Sequence, residues 1–453
     1  MALAEHAELP ARFEIVPQKL VYGGAALGHY NGRPVLVPYA LPGERLEVEP
    51  LRQAKGMIHA RLLRVLDASP DRVPAECPYF SKCGGCHYQQ MDSSRQVERK
   101  REILQETLRR IGGIDWSGEI SVHADGPWRY RNQVQLKVGR GESGDGAIGF
   151  FAADSHRLIP IESCMIASPR LNEVLSGLRR PEWTARLAGC SEIELLVDDY
   201  DDEVLLTLRG GDFSEAAEKL AADCRASIPG VVGVILDPGR RPPSGHQRQS
   251  GRALQSSSAG DVKAFGKPRL AYRVGDYRYE ISAGSFFQAS RFLLRDFAQA
   301  VASCDGTKRE VALDLYAGVG LFTLPLARAF RQVVAVEAHA VAASDLARVA
   351  RALGIANVRA VASRAAEFLR RYAQAAPDLV VLDPPRAGVE GETLRRLAGV
   401  GARRIHYASC QPPTLARDLA FLVRNGYQLR SVELFDFFPQ TYHIEALAKL
   451  TRA

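Results

Sequence analysis

The chain has 453 residues, 46% hydrophobic and 25% charged, which is material for several ordinary cores and excludes a disordered, collagenous or coiled-coil protein. Its 59 Lys and Arg against 52 Asp and Glu leave a net charge of +7, a mild excess that favours a phosphate-bearing partner without requiring one. The longest apolar stretch, near Val311 to Ala327, is broken by Asp314 and glycines, and Met1 to Pro10 lacks a secretory pattern. A cytoplasmic setting without membrane contact is therefore expected, where eight cysteines are too few for a disulfide scaffold and clustered ones read as ligands or nucleophiles.

Residues 10–70 read as short strands, at 13–16, 33–37, 44–48 and 57–63, separated by Gly23-Gly24, Asn31-Gly32 and Pro42-Gly43. That spacing suits a small closed barrel. Lys19, Tyr22 and the run from Val37 to Glu44 resemble a TRAM domain, an OB-like barrel whose sheet face and loops bind RNA. Residues 71–92 hold Cys77, Cys83 and Cys86, three thiols on one Gly-containing loop, and Cys164 can complete four ligands. The spacing admits either a tetrahedral zinc or a [4Fe–4S] cluster.

Residues 93–116 carry an amphipathic helix, with serine caps and a stripe of Val97, Ile103, Leu104, Thr107 and Leu108. Its basic residues are interleaved with glutamates, so a solvated outer face is expected. Residues 117–280 alternate as a mixed α/β domain, interrupted by a Gly-, Pro-, Ser- and Arg-rich segment, 239–264, read as a mobile insertion. From 281 to 453 apolar runs alternate with helical segments: 311–316, 333–336, 379–382 and 404–409 each precede a helix. Repeated βα units of this kind predict a parallel, doubly wound α/β sheet with ligands beyond the carboxyl ends of its strands.

Three motifs in that last region carry chemistry. Asp314-Leu315-Tyr316-Ala317-Gly318-Val319-Gly320 ends one strand and opens a helix, and Glu337 ends the next. An acid ahead of the glycines repels a pyrophosphate but suits a sulfonium, while Glu337 can accept both ribose hydroxyls, which points to S-adenosylmethionine rather than NAD. Asp383-Pro384-Pro385-Arg386 follows an apolar strand and aims into the same crevice. Arg386 stands where nitrogen-directed methyltransferases have an aromatic, and no cysteine adjoins the prolines as in RNA 5-methylcytosine enzymes. Cys410, between a strand and a helix, has the position of a nucleophile, with its pKa expected to be lowered by the helix N-terminus. Glu445, among apolar neighbours, is a base whose pKa burial should raise.

Taken in order, C-x5-C-x2-C, Cys164, GlySerPhePheGln at 284–288, the glycine loop, AspProProArg, SerCysGlnPro and HisIleGlu resemble the S-adenosylmethionine-dependent RNA 5-methyluridine methyltransferases. Within them the chain is most similar to the TRAM-containing, iron–sulfur members that modify 23S ribosomal RNA. The resemblance implies a class I methyltransferase fold, S-adenosyl-L-methionine as cofactor, RNA as partner, and no obligate protein partner. It implies a [4Fe–4S] cluster on Cys77, Cys83, Cys86 and Cys164, and cofactor contacts from Gln288, Asp314, Tyr316, Gly318, Gly320, Leu321, Glu337 and Asp383. Cys410 would be the nucleophile and Glu445 the base, with Phe286, Gln288 and Asp383 facing the target uracil and Phe287, Phe437 and Phe438 as further stacking residues. It also implies that the helix from Ser93 packs on the catalytic domain. Leu321 replaces the Asn common in relatives, and Ala362, Ser363 and Arg364 stand where an acid or amide often meets the adenine. Two alternatives remain: the same chemistry on transfer RNA, and a non-catalytic iron–sulfur protein that binds RNA.

Overall fold

The computed structural model describes residues 9–141, 145–211, 213, 217–239, 262–304 and 309–453. Six strands form the N-terminal sheet, in the order Phe13–Ile15, Arg45–Ala54, Met57–Asp67, Arg33–Pro38, Ala25–Tyr30, Lys19–Leu20. Two-residue turns at Asn31-Gly32 and Lys55-Gly56, all four residues at positive φ, join adjacent hairpin strands with the twist that such turns impose. The sheet curls on itself: Phe13 and Tyr30 meet with ring centroids 4.1 Å apart, and Gly28 passes Ile15 so closely that a Cβ there would lie 2.7 Å from it. Val35, Val37, Leu46 and Val48 fill the inside.

The middle of the chain forms a seven-stranded sheet in the order Leu158–Pro160, Gly146–Phe151, Gln133–Arg140, Glu192–Val197, Val204–Arg209, Val231–Asp237, Lys263–Gly266. Residues 240–261 of the segment expected to be a mobile insertion lie outside the described residues. Its end departs from expectation, because Lys263–Gly266 pairs antiparallel with Val231–Asp237 and forms the sheet edge.

The C-terminal sheet has eight strands: Val358–Ala362, Gln332–Glu337, Val311–Leu315, Leu379–Leu382, Arg404–Ser409, Glu445–Arg452, Tyr427–Phe435, Ile120–His123. The first five are parallel, and the inner ones, Gln332–Glu337, Val311–Leu315 and Leu379–Leu382, are mainly apolar and buried, as strands covered on both faces must be. The chain winds outward in one direction from Val311–Leu315 and then returns to start again at Leu379–Leu382, so the crevice between these two strands is the topological switch point. Beyond the expected βα units, Glu445–Arg452 runs antiparallel to both of its neighbours, a direction the sequence pattern did not indicate. The hairpin linking it to Tyr427–Phe435 is too short to act as a crossover, so the direction must reverse. Ile120–His123, assigned from sequence to the middle domain, also joins this sheet. Among the described residues no helix is long and apolar enough to cross a membrane.

A long helix, Ser93–Gly112, ties these parts together. Asp92, rather than a serine, caps it by accepting from Ser94 N, and Gly113 closes it in the left-handed conformation. Exposed arginines on its outer face pair with glutamates three or four residues away. Its inner face lies on the helix Pro412–Arg424, with Gly112 close enough that a Cβ would sit 2.9 Å from the Ala416 carbonyl. That face is not wholly apolar. Gln96 is fully buried and exchanges two hydrogen bonds with Gln440, while the fully buried Lys100 donates to Asp436 at 2.6 Å and to the Phe438 carbonyl at 2.9 Å. Removing one partner of such a pair strands the other charge in the interior. Lys100→Met should lower unfolding free energy by about 3–5 kcal/mol in urea titrations. The double variant Lys100→Met, Asp436→Leu should recover most of that loss; a single variant as stable as the parent would show that the pair holds nothing.

Candidate active site

The glycine loop begins where Val311–Leu315 ends. Tyr316 takes a positive φ of 67°, Gly318 55° and Gly320 94°, and the Tyr316 and Ala317 amides both donate to the Val336 carbonyl, which folds the loop against the neighbouring strand. The space above Gly318 is open, its nearest neighbour being the Phe286 carbonyl at 4.0 Å, whereas a Cβ on Gly320 would press on Leu346 at 3.0 Å. One glycine leaves room for a ligand and the other allows the helix to pack. Glu337 accepts from Gly318 N at 2.8 Å and His339 N at 2.6 Å, so its carboxylate is fixed at the rim with lone pairs free for hydroxyls.

Asp314 lies fully buried below this loop. One oxygen accepts from Thr323 Oγ1, and the other, Oδ1, has no hydrogen-bond partner among the described residues. Burial pushes its pKa up to about 7 despite the Thr323 hydrogen bond. Asp383, across the switch point, is likewise pushed up to about 7 by burial and by the nearby Asp314 charge. Gln288 Nε2 faces Asp383 Oδ2 at 3.4 Å. The Gln288 backbone is held by Asn132, which donates to its carbonyl at 3.1 Å and to Tyr272 Oη at 3.1 Å.

The reversed last strand completes the crevice. Ser409 pairs with Ala446, so the next residues outward, Cys410 and Glu445, stand side by side at one sheet end. Glu445 is buried, its Oε1 has no partner among the described residues, and desolvation and Asp383 raise its pKa well above the usual range. Cys410 is half-buried, just ahead of the helix Pro412–Arg424. The expectation that the helix lowers its pKa is corrected. Burial, then the Glu445 and Asp383 charges, push the thiol up to about 12, and the opposing effects of Arg386 and a backbone hydrogen bond are smaller.

The aromatic residues separate by exposure. Phe286 is 67% exposed beside the open glycine loop and free to meet a base. Phe287 is core, packed on Tyr272 with centroids 4.9 Å apart, and Phe437 is buried against Phe297 at 5.0 Å, so neither can stack on a nucleobase. Phe438 is half-buried, with the Arg131 guanidinium 5.6 Å from its centroid and His443 beside it. Leu321 is buried in the core, and its carbonyl accepts from Tyr279 Oη.

Cys77, Cys83, Cys86 and Cys164 line one cavity of about 320 Å³, walled also by Phe80 and Arg131. Gly84 passes Ala153 so closely that a Cβ would meet its amide at 3.0 Å, and Asn172 fixes Cys164 through its amide and carbonyl. Burial pushes the Cys83 thiol up to about 11 and Cys86 up to about 12. Among the described residues no three His, Cys, Asp or Glu side chains converge as a single-ion site.

Sequence reasoning passed over several residues here. His87 and Tyr442 stack edge-on at 4.6 Å, and Thr323 and Asn132 orient named site residues. Each is a lone polar or aromatic side chain without a motif, and long-range contact alone reveals it. Tyr22, read in the sequence only as part of the barrel, reaches Gln411.

Residues 265–453 match the family model described as tRNA (Uracil-5-)-methyltransferase. An uncharacterized RNA methyltransferase of Halalkalibacterium halodurans is 32% identical, with 96% of each chain covered. Another from Aquifex aeolicus is also 32% identical, over 96% of this chain and 98% of the relative. Among solved structures, the tRNA (uracil-54, C5)-methyltransferase of Pyrococcus abyssi, in complex with S-adenosyl-L-homocysteine, has a TM-score of 0.71 at 24% identity, over 97% of this chain and 100% of that one. That likeness gives the C-terminal sheet a class I methyltransferase fold. The chain belongs to the S-adenosylmethionine-dependent RNA (uracil-5-)-methyltransferase family.

Proposed function

We propose that this protein methylates carbon 5 of a uridine in 23S ribosomal RNA, in the cytoplasm, with Cys410 as covalent nucleophile and Glu445 as base. One observation carries the reading: the antiparallel last strand brings Glu445 next to Cys410 at the switch-point crevice, where Asp314 and Asp383 also lie. The crevice fits S-adenosylmethionine, with the orphaned Asp314 Oδ1 for its positive charge, the rim carboxylate of Glu337 for ribose hydroxyls, and open space over Gly318. The resemblance adds Tyr316 and Gln288 as cofactor contacts; the Gln288 amide faces Asp383, and the Tyr316 hydroxyl meets Thr393. When bound, the cofactor supplies an electrophilic methyl group.

Uracil carbon 5 is too weak a nucleophile to accept a methyl group unaided. Cys410 gives up its proton to the carboxylates beside it as its sulfur bonds to carbon 6, and the double-bond electrons pass to carbon 5 and the carbonyl at position 4. After carbon 5 takes the methyl group, Glu445 in its ionised form removes the remaining proton there. The C–H electrons restore the ring double bond and expel the Cys410 thiolate. One proton is released overall. Because the thiol starts protonated and Glu445 must be ionised, proton exchange through Asp383 and Glu445 belongs to the mechanism. Phe286 is the exposed ring available to stack on the extruded base.

The N-terminal sheet reads as the TRAM barrel, with the RNA backbone as its ligand. The four-cysteine cavity would suit a [4Fe–4S] group: four thiols line one space, and Arg131, whose buried Nε has no partner among the described residues, offers a cation to an anionic cluster. Such a group would tie the 77–86 loop to Cys164. The transfer-RNA reading draws on the Pyrococcus abyssi enzyme, whose fold spans the same domains. Mapping 5-methyluridine in ribosomal and transfer RNA from cells with and without this protein separates the two.

Tritium release from RNA labelled at uracil carbon 5 should occur with the parent enzyme, be absent in Cys410→Ala, and slow by about 10²- to 10⁴-fold in Glu445→Gln as a protein–RNA adduct accumulates. Methylation by Cys410→Ala would end the covalent scheme.

Burial raises the pKa of Asp314 and of Asp383 to about 7, and their ionised forms attract a cation. S-adenosylmethionine affinity, measured calorimetrically from about pH 5.5 to 8.5, should therefore weaken as pH falls through about 7 and level off above it. Asp314→Asn should flatten that dependence; an equal slope in both proteins would rule out the carboxylate's role.

Purified protein should contain about four irons per chain, lost in Cys83→Ser. Zinc in place of iron would reverse the metal assignment.

A further inference from the structure

The N-terminal sheet does more than lie beside the crevice. Its edge strand Lys19–Leu20 is anchored to the long helix by an ion pair between Lys19 and Glu106, and the chain then turns through Gly23 and Gly24, both at positive φ. The turn presses close to the catalytic domain, since a Cβ on Gly24 would meet Tyr442 and His87 at 3.2 Å. Between strand and turn stands Tyr22, half-buried, with its ring edge-on to Tyr442 at 5.4 Å. Its hydroxyl lies 2.5 Å from Gln411 Oε1 and 3.4 Å from the carbonyl oxygen of Cys410. Both acceptors belong to the short link between the end of Arg404–Ser409 and the helix Pro412–Arg424.

The rest of that link is held by backbone and hydroxyl contacts. The Gln411 amide donates to Ser409 Oγ at 3.2 Å, and Thr414 Oγ1 donates to the Gln411 carbonyl at 3.0 Å. Gln411 has no side-chain cap bond to the helix that follows it. Its side chain is instead committed to Tyr22, nearly four hundred residues earlier in the chain. We infer that Tyr22 is a positioning residue for the nucleophile, by which the N-terminal sheet fixes the Cys410–Gln411 peptide. This rests on Cys410 being the nucleophile.

The consequence is specific. Loss of one hydroxyl leaves Gln411 Oε1 without its donor and lets the Cys410 link move, while the apolar ring of Phe keeps the contact with Tyr442. A sulfur that must meet carbon 6 within a few tenths of an ångström then reacts more slowly with the base, yet becomes more accessible to a small reagent. A tyrosine serving only to dock the sheet, or only to touch RNA, would not produce those opposite changes.

The experiment compares the full-length parent, Tyr22→Phe, Gln411→Leu, the double variant and Cys410→Ala. Adduct formation is timed with a 5-fluorouridine RNA, in which carbon 5 carries no removable proton and the covalent complex persists. RNA affinity is measured without cofactor, and Cys410 alkylation by iodoacetamide is followed against pH. Tyr22→Phe should form adduct roughly three- to tenfold more slowly, the loss expected for one hydrogen bond, with RNA affinity unchanged and alkylation faster. The double variant should be no slower than the worse single one, because the two groups act through one contact. Adduct formation at the parent rate, or a loss confined to RNA affinity, overturns the inference while leaving the nucleophile intact. Adduct from Cys410→Ala overturns the nucleophile assignment, and the inference with it.

Discussion

The reversed direction of one strand is the constraint on which the active centre depends. Five parallel strands deliver Asp314, Glu337, Asp383 and Cys410 to the carboxyl edge of the sheet, as parallel winding always does. A sixth parallel strand would add only another carboxyl end. Glu445–Arg452 instead starts at that edge, and pairing of Ser409 with Ala446 sets Glu445 against Cys410. The nine residues from Asp436 to Ile444 make the turn-back, and Lys100, Gln96 and the amides of His87 and Tyr88 hold it from outside the domain. The placement of Glu445 beside Cys410 is thus a product of topology, with side-chain anchors that keep the turn in place.

The same topology concentrates charge where water is scarce. Asp314, Asp383 and Glu445 each lose hydration, and a neighbouring carboxylate adds to that loss in each case, Glu337 for Asp314, Asp314 for Asp383 and Asp383 for Glu445, so the pKa of all three is raised. Cys410, beside two of them, becomes a poorer acid for the same reason. A crevice so arranged is unfavourable when empty, and a cation entering it relieves the repulsion. Desolvation therefore serves binding and proton transfer together: the groups that attract a positive charge are also those able to exchange a proton with a thiol. A pre-formed thiolate at this site would add a further anion to a crowded interior, which explains why the helix N-terminus does not prevail there.

The βα part of the fold was legible because doubly covered strands hold continuous apolar runs with turn residues nearby, as at Leu379–Leu382 and in Gln332–Glu337. Strand direction leaves no such mark. The run that forms Glu445–Arg452 would read the same in either sense, and Ile120–His123 is too short to declare its sheet. The motif residues could be found since each sits at a strand end with glycines or prolines beside it. Their electrostatics could not, because the pKa of Cys410 depends on which carboxylates face it and not on the helix that follows. Phe286 and Phe287 are adjacent in sequence and opposite in fate, one exposed and one in the core, since alternate side chains of an extended segment point to opposite sides. Lys100 and Gln96 appeared solvated in an amphipathic pattern, and their partners lie more than three hundred residues away.

These long-range partners decide how separable the domains are. Three segments that precede the methyltransferase region touch the turn before Glu445 and the link at Cys410: the long helix grips Asp436, Phe438 and Gln440, the cysteine-bearing segment donates His87 and Tyr88 amides to the Gln440 carbonyl, and the N-terminal sheet reaches Gln411 through Tyr22. Gln440 itself has a positive φ of 68°, a conformation that a non-glycine residue keeps only when its surroundings demand it. Its side-chain and backbone bonds to Gln96, His87 and Tyr88 meet that demand. Were the N-terminal parts only RNA-binding attachments, the turn before Glu445 would have to be stable by its own contacts, and its buried polar groups would need partners within residues 281–453. Their partners lie elsewhere, so the turn before Glu445 and the link at Cys410 are held by the same N-terminal segments that pack beside them.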